Sequence, residues 1–218
     1  MGRLMFDDVH ETMAWDEIDA VVFDVGQVLL TFDPDRILHE YLPDQPSLYP
    51  VLMRKVFRSP YWVMRDHGEM SCEEAINAMT GRDESLRQPI DHVMHAWMAM
   101  KDVIQEGVDA VKTCKAHGKR LYVLSNYADD AFTIVERKYD FFNLFDERFV
   151  SARLHLMKPS KQIFNYVAAA TQHDPSRMLF IDDSTLNVEG ALFCGWQAIC
   201  YNEPGKLNRF FGAGDAGK

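Results

Sequence analysis

Ala20-Val21-Val22-Phe23-Asp24-Val25-Gly26-Gln27-Val28-Leu29 is the stretch on which the fold turns. Its first four residues are apolar and too few for a helix. A short β-branched run of this kind suits a strand buried on both faces of a parallel sheet. The run stops abruptly on Asp24. Outward from it, similar runs recur only much later: Arg120-Leu121-Tyr122-Val123-Leu124 stopping on Ser125, a weaker Glu147-Arg148-Phe149-Val150, Met178-Leu179-Phe180-Ile181 stopping on Asp182, and Gln197-Ala198-Ile199-Cys200.

Between the later runs the apolar residues adopt helical spacing. Helices are predicted over Lys101 to His117, with Gly118 as a left-handed cap, over Ala128–Lys138, over Lys161–Thr171 and over Thr185–Cys194, closed by Gly195. Strands alternating with helices imply right-handed βαβ units, hence an α/β fold of Rossmann-like type with a parallel sheet covered on both faces. Residues 33–100 break that rhythm. They hold no convincing strand, are rich in Met and aromatics, are punctuated by Pro43, Pro46, Pro50 and Pro60, and carry a capping box at Ser71-Cys72-Glu73-Glu74. The expected organisation is an N-terminal extension (1–17), an α/β core (18–32 and 101–210), an inserted α-helical cap (33–100) and a flexible tail (211–218).

A chain of 218 residues can bury a full core, and its net charge of -10 excludes surfaces that need a positive field. No nucleic-acid or anionic-membrane partner is therefore expected. The same charge poses a question for any anionic substrate, whose site must generate a local positive potential. Cys72, Cys114, Cys194 and Cys200 form no C-x-x-C pair and read as reduced thiols of a cytoplasmic protein. No run approaches a membrane span, and the acidic, mixed N-terminus lacks the regions of a signal peptide.

Three strand-like runs end on polar residues: Asp24, Ser125 and the pair Asp182-Asp183. In an open parallel sheet the carboxyl ends of strands share one edge, where ligands bind. One polar residue after a strand is usually a turn or a cap; three at equivalent positions, two of them acidic, point to a site. Lys158 joins them from a loop. Pro159 restricts it to extended backbone ahead of the helix that begins near Ser160.

The ordered set Phe23-Asp24-Val25-Gly26-Gln27-Val28-Leu29, Leu124-Ser125-Asn126, Lys158-Pro159 and Ile181-Asp182-Asp183 with Asn187 resembles the four motifs of the haloacid dehalogenase superfamily. Its Asp-x-Gly-x-Val-Leu opening is similar to a subfamily I branch of sugar-phosphate phosphatases that includes a bacterial α-glucose-1-phosphate phosphatase. The cap segment Trp62 to Ser71, with its Gly-Glu-apolar-Ser run, resembles that branch too. The resemblance spans roughly residues 18–205.

What it implies is an Mg²⁺-dependent phosphomonoesterase for a small phosphorylated substrate, with sugar phosphates favoured. Asp24 would be the nucleophile and form an aspartyl-phosphate. Ser125 and the Asn126 backbone N–H would bind a phosphate oxygen, and Lys158 would neutralise charge shared with Asp24. Mg²⁺ would be held by Asp24, the Gly26 carbonyl, Asp182 and Asp183, with Asn187 farther out. Crowded carboxylates of this kind call for a cation among them, and Mg²⁺ takes such oxygen ligands. The metal, Lys158 and loop N–H groups would also make the positive field that the net charge denies. The chain would act as a monomer or a homodimer.

One position departs from the family's pattern. Its phosphatases usually carry a proton-transferring Asp two residues after the nucleophile, where this chain has Gly26. Replacements are sought at Asp33, which also suits a helix N-terminus, and at Asp66, His67 and Glu69 of the cap. Tyr61, Trp62 and Trp97 could frame a substrate or simply pack the bundle. Two alternatives stay open: a metal-free dehalogenase, disfavoured by Asp182-Asp183, and a phospho-ligand binder without turnover, motivated by Gly26. The eight histidines show no zinc-site spacing, and P-loop, G-x-G-x-x-G and G-x-S-x-G patterns are absent.

Overall fold

The computed structural model describes residues 14–99 and 101–212. The first 13 residues of the expected extension and residues 213–218 of the expected tail lie outside them. Five strands, β1 (Ala20–Phe23), β2 (Arg120–Ser125), β3 (Glu147–Val150), β4 (Met178–Asp182) and β5 (Gln197–Cys200), form one sheet in the order β3-β2-β1-β4-β5. Every pairing is parallel. All four side chains of β1 are fully buried, as a central strand between two helical layers requires.

Alternation along β1 divides the core. Val21 and Phe23 face the layer that contains α6 (Gln105–Ala116) and α7 (Asp129–Lys138); Ala20 and Val22 face α9 (Lys161–Thr171) and α10 (Thr185–Phe193), where Phe164, Phe180 and Trp196 stack edge to face. Between β1 and β2 the chain is helical: α1 (Pro34–Tyr41), α2 (Tyr49–Leu52) running into a π-helical turn at Met53–Phe57, α3 (Pro60–Asp66), α4 (Cys72–Thr80) and α5 (Arg87–Ala99). The capping box opens α4 as expected: Ser71 Oγ accepts from Glu74 N, and the Glu74 carboxylate accepts from Ser71 N. Short helices α8 (Ser151–Leu154) and α11 (Lys206–Phe211) complete the set, neither with a counterpart in the sequence expectations.

One predicted boundary moves. The helix expected from Lys101 begins at Gln105, because residues 101–104 pair with the chain leaving the first motif: Thr31 N donates to Asp102 O (2.9 Å) and Ile104 N to Leu29 O (2.8 Å), about an antiparallel Leu30–Val103 bridge. Both connections into the helical insert are thus tied together beside the sheet edge. Gly118 has φ +70° and Gly195 has φ +88°, conformations that glycine adopts without a Cβ penalty.

Candidate active site

Register explains why distant residues meet. Phe23 pairs with Ile181 on one side and Val123 on the other, so Asp24 stands level with Asp182 and one residue short of Ser125. This is the switch point of the sheet, where chain direction diverges on either side of β1. Ser125 Oγ donates to Asp24 Oδ1 at 2.8 Å. Lys158 Nζ lies 2.9 Å from the same oxygen and 2.6 Å from Asp182 Oδ2. Among the described residues no hydrogen bond claims Asp24 Oδ2, which leaves that oxygen open.

Lys158 is only 4% exposed, so it is a buried cation and not a solvated loop lysine. Burial works against its charge, but Asp182 and Asp24 outweigh that and raise its pKa. Burial raises the pKa of Asp24, with Asp182 adding repulsion against the opposing pull of Lys158. Asp183 is also raised, by burial and then by Asp182. Asn126 does something the sequence did not disclose. Its side chain accepts from Lys158 N and donates to Lys158 O, each at 2.9 Å, clamping the backbone of the lysine. The Lys158–Pro159 peptide bond is cis.

Asp24, Asp182 and Asp183 each offer a carboxylate oxygen within 4.8 Å of the others. Three hard oxygens and repelling charges fit a divalent cation such as Mg²⁺. The three are not equivalent. Asp182 is fully buried and accepts from Lys158 Nζ, from Asn187 Nδ2 (3.0 and 3.1 Å) and from Ser184 N (2.8 Å). Asp183 is partly exposed, and its side chain accepts no such set of bonds. Among the described residues no backbone N–H donates to the Gly26 carbonyl. Asp24, Asp183 and that carbonyl are therefore the freer donors, with Asp182 and Asn187 behind them.

A cleft of about 230 Å³ opens over these groups, lined also by Gln27, Phe32, Trp62, Asp66, Trp97, Lys101 and Tyr127. A Cβ at Gly26 would meet no atom within 4 Å, so crowding does not dictate the glycine. Of the candidate replacements, Asp33 caps α1 by accepting from Arg36 N, while His67 and Glu69 pair with each other at 2.9 Å, away from the cleft wall. Asp66 alone lines the cleft. Burial pushes its pKa up to about 7, against the opposing pull of the Arg65 guanidinium. Trp62 and Trp97 line the cleft, and Tyr61 packs elsewhere. Lys101 was not singled out in the sequence, because a lone lysine at a helix start reads as solvated.

Residues 18–195 match the haloacid dehalogenase-like hydrolase family. Among solved structures, an HAD family enzyme of Bacteroides thetaiotaomicron in complex with magnesium and inorganic phosphate is similar at TM-score 0.66 and 21% identity, over 83% of this chain and 92% of that one. The L-2-haloacid dehalogenase of Xanthobacter autotrophicus with chloropropionic acid covalently bound is similar at TM-score 0.62 and 18% identity, over 92% of this chain and 85% of that one. At such identities these likenesses establish the fold. A drimenol cyclase of Aspergillus calidoustus is 22% identical over 195 residues, 88% of this chain; the chain spans only 35% of that relative's length. Among the described residues no helix is long and apolar enough to cross a membrane, and the four cysteines are free.

Proposed function

This chain belongs to the haloacid dehalogenase-like hydrolases, and we propose that it is an Mg²⁺-dependent phosphomonoesterase of the Asp-x-Gly-x-Val branch acting on a small phosphorylated metabolite, sugar phosphates foremost. The observation that carries the reading is the bridge Asp24–Lys158–Asp182, with Ser125 on Asp24 and Asp183 beside it. Ser125 and Lys158 hold Asp24 Oδ1, so Oδ2 is the oxygen free to attack phosphorus. The new Oδ2–P bond forms as the ester P–O bond breaks. Ser125 Oγ, the Asn126 N–H and the Lys158 ammonium receive the phosphoryl oxygens; charge stabilisation of this kind dominates phosphoryl transfer. Asp24, Asp183 and the Gly26 carbonyl would hold Mg²⁺, which when bound would supply further positive charge to the same group. Protonated Asp66 gives its proton to the departing alkoxide, and as carboxylate takes one from the water that hydrolyses the aspartyl-phosphate. A group with pKa about 7 is suited to both transfers.

Attack on carbon by a metal-free dehalogenase has no use for three converging carboxylates. A cytoplasmic setting agrees with four free thiols. The deciding experiment is hydrolysis of p-nitrophenyl phosphate with Mg²⁺, with excess EDTA, and by Asp24→Asn. The reading expects turnover only in the first, with Asp24→Asn down by ~10⁴-fold or more. Full activity in EDTA or in Asp24→Asn would overturn it, and EDTA-insensitive chloride release from 2-chloropropionate would put a dehalogenase in its place.

A further inference from the structure

The lining of the cleft contains a second cation that the phosphoryl chemistry does not use. Lys101 is 7% exposed. Its Nζ sits 4.5 Å from the Phe32 ring centre and 4.8 Å from that of Trp97, against two ring faces that offer no hydrogen-bond acceptor. Among the described residues its ammonium forms no hydrogen bond and no ion pair; Asp66 acts on it only at longer range. Its backbone is fixed, because Tyr139 Oη donates to its carbonyl and Asp102 next to it is bonded to Thr31. The backbone that presents the ammonium is thus tied at residues 101 and 102.

Two neighbours in the same wall share its condition. The indole N–H of Trp97 and the phenol of Tyr127 are both buried without a hydrogen-bond partner. Burial raises the Tyr127 pKa, which keeps its proton in place as a donor. A buried ammonium that lines a cleft and has no acceptor is a chemical demand for an anion there. Burial also brings Lys101 down to about 7, so an arriving anion would hold it charged.

We propose that the Lys101 chamber is a second anion subsite, so that the phosphomonoester cleaved at Asp24 carries a carboxylate or a second phosphate on its organic part. The inference rests on the phosphomonoesterase reading and narrows its substrate class. The apolar rings of Phe32, Trp62 and Trp97 would cover the carbon skeleton between the two anions.

The test is calorimetric titration, in excess Mg²⁺, of short alkylphosphonates, the matching ω-carboxyalkylphosphonates and the matching alkane-α,ω-bisphosphonates. At the chain length that spans the cleft, one or both doubly anionic series should bind ~tenfold tighter than the simple phosphonate, the gain of a charge-assisted bond. The stronger series identifies carboxylate or phosphate as the natural group. Lys101→Met should erase the advantage and Lys101→Arg should retain it. In the unmutated protein, acylation of Lys101 read by mass spectrometry should be slowed by the tighter ligand and not by the simple phosphonate. No advantage at any chain length, an advantage that survives Lys101→Met, or acylation indifferent to the second anion would each overturn the proposal. Failure of the reading beneath it would look different: p-nitrophenyl phosphate would not be hydrolysed.

Discussion

Lys158 Nζ lies 2.9 Å from Asp24 and 2.6 Å from Asp182, and removing it would leave two buried carboxylates facing each other without a cation. Breaking a buried pair costs ~3–5 kcal/mol because a charge is stranded. Lys158→Ala is therefore expected to destabilise the metal-free protein by about that amount in urea unfolding, to recover part of it with Mg²⁺, and to lose turnover in the presence of Mg²⁺. Unchanged kcat/KM would show that the lysine neutralises nothing on the reaction path. Asp66 makes the opposite case. Its folded-state pKa of about 7 lies above the ordinary 3.8, so the folded protein binds the extra proton between those values. The stability this group contributes is complete below about pH 4 and is lost as pH rises through about 7. Asp66→Asn keeps the size and shape of the side chain and removes the titration. Its advantage in unfolding free energy over the parent should grow between pH 5 and 7.5 by ~2 kcal/mol; a gap constant with pH would refute the shift. At this scale the sequence was legible for Asp24, Ser125 and the acidic pair, since each ends a recognisable run, and for Lys158, which Pro159 marks in its loop. It was not legible for Lys101 or for the Asn126 side chain, whose meaning depends on partners 30 or more residues away.

Helix α10 shows how an element can set the position of a catalytic side chain without touching substrate. Gly190 is pressed so closely on the turn after Lys158 that an added Cβ would stand 2.6 Å from Pro159 O and 2.9 Å from the Phe164 ring. A methyl there must push the Lys158–Pro159 turn aside. Gly190→Ala is expected to cost ~1–3 kcal/mol as an overpacking change. Through the displaced lysine it should lower kcat by up to ~10²-fold, more than it affects KM. A circular-dichroism melt beside steady-state kinetics checks both; normal kcat in a destabilised protein would separate α10 from the site. Strands and long helices were readable because period and capping are local: β1, β3, β5 and α9 fall where their apolar runs placed them. The connection at 101–104 was not, because its partners at residues 29–31 lie across the whole insert and only pairing with them keeps it from continuing α6.

Across the whole molecule, helices and sheet are joined at the cleft by specific ties. Arg65 of α3 reaches Asp130 of α7 at 2.6 Å, Ser151 Oγ donates to the Asp66 carbonyl, and Gly68 has φ +83° where a Cβ would stand 2.3 Å from Ala152 O. These hold Asp66 over the sheet edge, a placement that composition and periodicity could not disclose; the parallel sheet was legible from spacing, whereas its strand order β3-β2-β1-β4-β5 was not. The same edge concentrates negative charge in a chain whose net charge is already -10. Folding therefore opposes the repulsion of Asp24, Asp182 and Asp183 with a single buried lysine, and a cation that binds only the folded state should add to stability by mass action. At free Mg²⁺ a hundredfold above its Kd the gain is ~2.7 kcal/mol. For a chain of this size that corresponds to a rise in melting temperature on the order of 5–10 °C. Asp183→Asn removes the most open of the three carboxylates and should abolish most of that rise while leaving the metal-free melting temperature the same or higher, since a repulsion is relieved. Ca²⁺ and K⁺ controls at equal ionic strength separate binding from screening. A melting temperature that Mg²⁺ moves no more than K⁺ does would mean the acidic edge holds no metal, and the phosphoryl charge would then rest on Lys158, Ser125 and the loop N–H groups alone.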